Sequence, residues 1–545
     1  MLPFADCSDV PTCTGGLVLF LALLVPAAWG QEGPGPPATK ALVPQADLFS
    51  NDVRVLAPAG DSLWIGPLLT LYRETPGELL ASDNEALLDG DNIVFSVAAR
   101  NGTPQGDLVW AGLAFDTGGG EPGAGGFLVS TDGGTSFAQR PDQLDAPTDT
   151  ALTYGVSTVP ARPVTQQAGS SPQDLALGPA GDTVWVAGNR SGVRWTADGG
   201  ETWTRTVLPP DTLQAVDPAT PTDVFVGPPL DDGRGSVNHL AFSVVVDETG
   251  TVWAGTVGGV NRARPGSVTP DGRRAWRRFD RSTAPQGPPG NFVVALAEQP
   301  RPGARNPMWM AAWATEQAPA DGPPQRFGVA VTADGGQSFR PSLIGERIFD
   351  VAARPGRVYA GGATGLFVST DQGRTWQSVE RFPLRDADQV LPSDLSVQSV
   401  AVTDAALWLG TPEGLLRLDR ADEPRLLDER PRWRLFRAET PVNPESPSDA
   451  VPDVSTYAYP NPFVPSRDEF VRIAYELQDA GAVTVSIYDF SMNRVRTITE
   501  QKSAGQQETV WRGTDGQGLR VPTGTYFYTV EAGGTTRKGK ILVAN

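Results

Sequence analysis

The residues with the clearest potential for chemistry are four aspartates at matching places: Asp132, Asp198, Asp334 and Asp371. Each sits in the pattern Ser/Thr-x-Asp-x-Gly-x-Thr/Ser-Trp/Phe, at residues 130–137 (STDGGTSF), 196–203 (TADGGETW), 332–339 (TADGGQSF) and 369–376 (STDQGRTW). A row of carboxylates suggests an acidic ligand or metal site. The spacing favours another use, because an Asp followed by Gly in a polar corner accepts hydrogen bonds from its own turn. Gly134, Gly200, Gly336 and Gly373 then supply turn geometry, and Phe137, Trp203, Phe339 and Trp376 supply packing. We read these corners as self-satisfied hairpin turns and therefore as structural markers.

Other chemistry is sparse. Cys7 and Cys13 are the two cysteines, and both precede the cut expected before Gln31, so no disulfide, thiol nucleophile or cysteine metal site is expected in the mature chain. His239 is the single histidine, which excludes the His clusters that zinc uses. No cofactor is expected. What remains is carboxylate, tyrosine and arginine chemistry. A glycosidase needs two carboxylates about 5–9.5 Å apart. Candidates on loops are Asp116, Glu121, Asp142, Asp145, Asp231, Asp232, Glu316 and Asp321, with Phe115, Tyr154 and Trp313 as sugar-stacking aromatics. No spacing singles out a pair. Asp116, Tyr154, Trp313, Glu316 and Asp321 are taken as the ligand face.

The elements that position these residues are strands. Sixty-one Gly and 50 Pro in 545 residues argue for many short strands and turns. A second repeated signal is an apolar strand carrying an aromatic and ending in a small residue or Gly. It occurs around Trp64, Trp110, Trp185, Trp253, Trp309, Tyr359 and Trp408. Each copy follows another apolar strand, and the corner, where present, comes after it. Four strands per unit at roughly 40–50 residues describe a propeller blade. Seven units predict a seven-bladed β-propeller over residues 47–437. Blades one, four and seven show no recognisable Asp corner, and residues 224–227 (VFVG) are read as a strand inside a long connection. The intervals Trp110–Asp132 and Trp309–Asp334 are longer than Tyr359–Asp371, so the excess, Gly/Pro-rich loop, lies at the end opposite the corners. Binding is expected on that elaborated face.

Residues 438–456 are rich in Pro, Ser and acid and read as a linker. Beyond it, Val471, Ile473, Tyr475 and Leu477 alternate with polar residues, as do Val483, Val485 and Ile487, predicting a small immunoglobulin-like β-sandwich over residues 457–545. At the other end, the apolar run 17–25 followed by Ala28-Trp29-Gly30 predicts a secretory leader over residues 1–30, although residues 1–16 carry no Lys or Arg. Residues 31–46 form a Pro/Gly-rich lead. Acidic residues outnumber basic ones, 63 to 44, for a net charge of −19. That balance disfavours nucleic acid and anionic membrane as partners, and no nucleic-acid partner is expected.

The repeated corner resembles the Asp-box, or bacterial neuraminidase repeat, of sialidase- and sortilin-type propellers. Residues 358–376 also resemble xyloglucan-degrading endoglucanases and photosystem II assembly-factor propellers. The resemblance implies a fold and not an activity. The chain lacks the Phe/Tyr-Arg-Ile-Pro motif of sialidases and has one propeller where the endoglucanases usually have two.

In the C-terminal domain, Pro460, Asn461 and Pro462, then residues 472–477 (RIAYEL), 485–489 (VSIYD) and 511–515 (WRGTD), come in order. Gly524, Tyr526 and Tyr528 follow, then Lys538 and Lys540. These segments resemble the type IX secretion C-terminal sorting domain and the immunoglobulin-like domain of flagellar hook-capping proteins. The departure is at residues 490–494 (FSMNR), where the family has Gly-Arg/Lys. The resemblance implies Sec-dependent export and the type IX machinery as a partner, with the protein secreted or on the outer cell surface. The expected function is a non-catalytic propeller binding a glycan or protein. The alternative is a secreted glycoside hydrolase with paired carboxylates on the elaborated face.

Overall fold

A computed structural model describes residues 43–45, 48, 50–81, 92–103, 106–269, 271–283, 286–315, 323–379, 381–385, 390–391, 395–427, 431–437, 456–459, 461, 463, 465 and 470–544. The expected leader, all of the lead except residues 43–45, and all of the linker except Thr456 lie outside the described residues. The chain divides into two compact units, Met1–Asp449 and Ala450–Asn545.

The first unit is a seven-bladed β-propeller of antiparallel blades. Inner strands are Val55–Ala59, Ile93–Thr103, Pro172–Leu177, Ala241–Val246, Phe292–Glu298, Ile348–Arg354 and Ser399–Val402. They touch in cyclic order, the seventh closing on the first. Among the described residues closure uses no exchanged strand: Val53 donates to Thr411 O (3.1 Å) and Leu48 to Arg437 O (3.0 Å). Val43–Gln45, within the segment expected to precede the propeller, adds a fifth strand to blade one beside Glu78–Ala81. Ala215–Val216 similarly extends blade four.

Trp64, Trp110, Trp185, Trp253, Trp309, Tyr359 and Trp408 all lie in the second strands and are at most 2% exposed. They fill the space between adjacent sheets, where large aromatic area gives the greatest burial per residue. The small residue that follows has its own reason: a Cβ on Gly410 would come within 2.4 Å of Val53 O on the next blade.

The Asp corners hold themselves and also grip the preceding blade. Ser369 donates to Asp371 (2.9 Å) and accepts from Gly373 N–H (2.7 Å). Asp371 accepts from the Thr375 N–H (2.9 Å) and hydroxyl (2.7 Å). Asp132, Asp198 and Asp334 repeat this pattern with Ser136, Thr202 and Ser338. The backbone N–H and then the hydroxyl of Thr375 hold the Asp371 carboxyl down at about 2. In each corner the carbonyl just after the Asp accepts from an arginine of the blade before it. Arg73 bonds Gly133 O (3.4 Å), Arg140 bonds Gly199 O (2.8 Å), Arg262 bonds Gly335 O and Arg340 bonds Gln372 O. Gly373 also lets its corner rest on Trp309, where a Cβ would stand 2.6 Å from the indole.

Corners without the motif use the same clamp with other acceptors. Glu74 of blade one pairs with Arg417 of blade seven (2.6 Å). Glu423 of blade seven, fully buried, pairs with Arg354 and Arg357 of blade six and accepts from the Tyr359 hydroxyl. Blade four carries a variant corner that the sequence reading missed. There Thr269 donates to Asp271 and accepts from Arg273 N–H (2.9 Å).

The second unit is a β-sandwich. One sheet pairs Thr456–Tyr459, Val471–Leu477 and Gly505–Trp511; the other orders Arg494–Lys502, Gly481–Tyr488, Gly524–Ala532 and Thr535–Val543. Val471, Ile473, Tyr475, Leu477, Val483, Val485 and Ile487 all face the core, as their alternation requires. Among the sorting-motif residues, Tyr526 and Tyr528 are buried while Lys538 and Lys540 are exposed on the last strand. Gly524 opens its strand. Asn461 joins the chain entry to that last strand, donating to Lys540 O (3.1 Å) and accepting from Leu542 N–H (2.8 Å). Pro460 and Pro462 lie outside the described residues.

Candidate functional site

The end of the propeller opposite the corners carries the links between blades and between second and third strands. Two of the long links, residues 141–171 and 206–240, fold against each other there. Ala151–Tyr154 and Ser157–Pro160 form a hairpin. Its exit is stitched to the second link by Arg162 N–H to Val226 O (2.9 Å) and Val226 N–H to Pro160 O (2.9 Å). Between them lies an open cleft of about 560 Å³ lined by Thr150, Pro160, Arg162, Pro163, Phe225, Leu230, Asp231, Asp232 and Arg234.

Its floor is rigid for electrostatic reasons. Asp145 is buried beneath it and pairs with Arg194 (2.6 Å) and Arg205 (3.2 Å). Arg205 in turn donates to Arg162 O (2.6 Å), fixing the backbone from which Arg162 projects. Burial lowers the Arg205 guanidinium to about 10, opposed by the Asp145 charge. One wall is a tight turn closed by Leu230 N–H to Arg234 O (2.8 Å). That turn sets Arg234 over the Phe225 ring at 4.7 Å and against Asp232 at 2.7 Å. Hydrogen bonds from Arg234 hold the Asp232 carboxyl below its ordinary value. Asp231 has no hydrogen bond or ion pair among the described residues. The cleft thus offers a half-buried aromatic face, a proline edge, exposed guanidinium groups and one carboxylate without a partner.

Among the described residues, the structure brings two of the loop carboxylate candidates, Asp231 and Asp232, into this cleft and none of the expected ligand-face residues. Tyr154 is buried, its hydroxyl donating to Arg274 O (2.8 Å), so it packs the core and stacks on nothing from solvent. Trp313 is 5% exposed with its indole N–H on Ile348 O (2.6 Å), so it likewise cannot act as an open stacking platform. Both corrections have one cause: a large ring at a strand end gains more by closing the gap between blades. Asp116 caps its own loop through Gly118 N–H (2.8 Å). Glu121 pairs with Arg190 (2.7 Å), and Asp142 accepts from Gln167 (2.7 Å) while burial raises its pKa. Phe115 covers Gly123. Glu316 and Asp321 lie outside the described residues. His239 is buried against Arg190 O (3.2 Å), and burial followed by the charges of Arg205 and Arg194 lowers its pKa to about 3. It is neutral at ordinary pH.

Sequence reasoning missed Phe225, Arg162 and Arg234. The first was visible as the aromatic of VFVG, which here makes an isolated parallel bridge to Ala161 and no blade strand. It also missed Asp174 and Asp350, at equivalent places on the inner strands of blades three and six. Each is enclosed by the inner strands and accepts an N–H from the next blade, Val244 (2.8 Å) and Val400 (2.8 Å). Burial raises Asp174 to about 7 and Asp350 to about 6 against those hydrogen bonds. Among the described residues no group of three or more His, Cys, Asp or Glu could hold a metal. No helix among them is long and apolar enough to cross a membrane.

No curated protein sequence matches the chain. Among solved structures it is similar to PorZ, described as an essential bacterial surface component of the type-IX secretion system of Porphyromonas gingivalis. The match has 14% identity over 90% of this chain and 81% of that one, with a TM-score of 0.31. It is similar to the GH74 xyloglucanase from Xanthomonas campestris, with 12% identity over 92% of this chain and 67% of that one, TM-score 0.46. A third is YCF48 bound to D1 peptide, with 16% identity over 70% of this chain and 99% of that one, TM-score 0.38. At these identities the likenesses concern fold alone. Residues 367–378 match the BNR/Asp-box repeat and residues 469–536 match the FlgD Ig-like domain.

Proposed function

We propose that the chain is an exported, non-catalytic binding protein whose propeller holds a glycan or protein ligand at the loop-bearing end. The observation that carries this is the cleft between residues 141–171 and 206–240. It combines the half-buried Phe225, apolar prolines and exposed arginines on a floor fixed by the buried Asp145–Arg194–Arg205 cluster. Ligand sites have this composition: mostly apolar walls with a few placed polar groups. The hydrolase alternative gains no support there. Asp231 and Asp232 are chain neighbours, and Arg234 keeps Asp232 ionised, unsuited to donate a proton.

The second unit would then serve delivery. We read residues 457–545 as a type IX sorting domain, supported by the FlgD Ig-like match and the ordered motifs, with residues 1–30 as the export leader and 438–456 as the linker. Retention of the full chain on immobilised polysaccharides and proteins tests the binding role. Phe225→Ala and Arg162→Gln should each weaken whatever is retained by about tenfold or more. Wild-type retention in both variants refutes the cleft as the site. Deletion of residues 457–545 should trap the protein in the periplasm, and unchanged release refutes the sorting role.

A further inference from the structure

The most deeply buried arginines of this propeller are all paired. The well-buried guanidinium groups of Arg194, Arg278 and Arg417 meet Asp145, Asp280 and Glu74 at 2.6, 3.0 and 2.6 Å. Arg347 is the contrast. It is half-buried, on the link between blades five and six, and its side chain has no hydrogen bond or ion pair among the described residues. Its Nε is shielded from solvent without an acceptor. The two carboxylates near it in sequence are used elsewhere: Glu346 accepts from Thr364 (3.0 Å), and Asp350 accepts from Val351 and Val400. In a chain of net charge −19, a partly desolvated cation with no acceptor among the described residues calls for an explanation.

The surroundings hold that cation in place. Its guanidinium lies over Trp313 at 4.4 Å and near Phe349 at 5.8 Å. Trp313 cannot turn away, because its N–H is bonded to Ile348 O. The half-buried Phe292 continues the row at 5.5 Å from Trp313, and Phe242 follows at 4.6 Å from Phe292. Phe242 and Phe349 are extra residues in β-bulges of their inner strands, the device that re-aims a side chain out of the regular alternation. All stand at the loop-bearing end of blades four to six. A guanidinium stacked by its face leaves its donor edge open for a two-pronged oxyanion, while neighbouring rings offer faces to a sugar.

We propose that Arg347, with Phe292 and Phe349, forms an acidic-sugar subsite in which the guanidinium edge binds the carboxylate of a hexuronate unit in a polysaccharide. The subsite rests on the reading of the loop-bearing end as a binding surface but not on the Phe225 cleft. The full chain should be retained by polygalacturonate in affinity electrophoresis, and less by a neutral glucan or a sulfated dextran. Arg347→Gln should weaken the polygalacturonate affinity by about tenfold to a hundredfold, the loss expected for a charged hydrogen-bonded pair. Arg347→Lys, which keeps the charge but not the fork, should fall between. Arg301→Gln, on the exposed turn between the strands Phe292–Glu298 and Met308–Trp313, should leave that affinity unchanged, and unfolding midpoints establish that every variant is folded. Wild-type affinity in folded Arg347→Gln overturns the proposal, as does stronger retention by the sulfated or neutral polymer, or no retention by polygalacturonate. A ligand lost in Arg162→Gln but kept in Arg347→Gln would support the cleft and overturn the subsite.

Discussion

Replacing Glu423 by Ala tests whether the corners really fasten one blade to the next. The carboxylate is fully buried, while Arg354 and Arg357 are 16% and 17% exposed and reach it from blade six. Arg357 also bonds Glu423 O (2.7 Å), and Arg354 Nε lies 2.8 Å from the carboxylate. Burial and then the Glu423 charge raise the Tyr359 hydroxyl pKa, so the tyrosine remains a donor to Glu423. Removing one partner of a buried ion pair leaves the other charge unsolvated and typically costs about 3–5 kcal/mol. At roughly 2 cal/mol/K per residue over a unit of about 400 residues, a loss near 4 kcal/mol lowers the melting temperature by about 5 °C. Urea unfolding followed by tryptophan fluorescence measures the loss directly. The triple variant Glu423→Ala/Arg354→Ala/Arg357→Ala should lose less than the sum of its single changes, because the orphaned charges disappear together. A Glu423→Ala protein within about 0.5 kcal/mol of wild type would refute the clamp.

Two further outcomes follow from the same geometry. Gly373→Ala places a Cβ 2.6 Å from the Trp309 ring at a backbone φ of +76°, so it should destabilise by about 1–3 kcal/mol in urea unfolding, and a neutral result would mean the corner does not rest on that ring. Asp174 binds its proton more tightly when folded, about 7 against 3.8, so the stability it contributes is present below pH 4 and is lost as pH rises towards 7. Wild type should therefore lose stability relative to Asp174→Asn between pH 4 and pH 7, and a constant difference across that window would refute the raised value.

The architecture was readable because it is repeated. Seven buried aromatics in second strands and four Asp corners each mark one blade, and a repeat multiplies a weak local signal. Blade four escaped because its corner has Arg273 and Ala275 where the others have Gly and Ser or Thr, although Thr269 and Asp271 make the same contact. The candidate site was much less readable. Polar loop residues carry no periodicity, and a carboxylate's availability depends on partners distant in sequence: Asp145 on Arg194, Glu121 on Arg190. The aromatics misled in one direction. Tyr154 and Trp313 read as exposed stacking groups because they end strands beside loops, yet Trp313 sits under Arg347 and within 5.5 Å of Phe292. Phe292 and Phe349, which keep part of their faces open, sit inside apolar strands and read as core.

Arginine fastens blade to blade at the corner end of the propeller and is used more variously at the loop end. At the corner end, guanidinium groups from one blade are spent on a carbonyl or carboxylate of the next, as with Arg140, Arg417 and Arg354. Each such contact is local to two adjacent blades, so the ring is held by a succession of pairwise fastenings, as expected of repeat proteins stabilised through nearest-neighbour interfaces. At the loop end some are spent within the links, as Arg194 and Arg205 are on Asp145, and others are left less engaged. Arg234 has only a surface partner and Arg347 has none among the described residues. A half-buried arginine without a partner among the described residues is tolerable where the other end already supplies the cohesion, and the fastenings there leave the loop end able to change residues without loosening the ring. The corner aspartates therefore bear on function indirectly. By satisfying themselves and anchoring the preceding blade, they permit unsatisfied donors to persist on the face where a ligand would meet them.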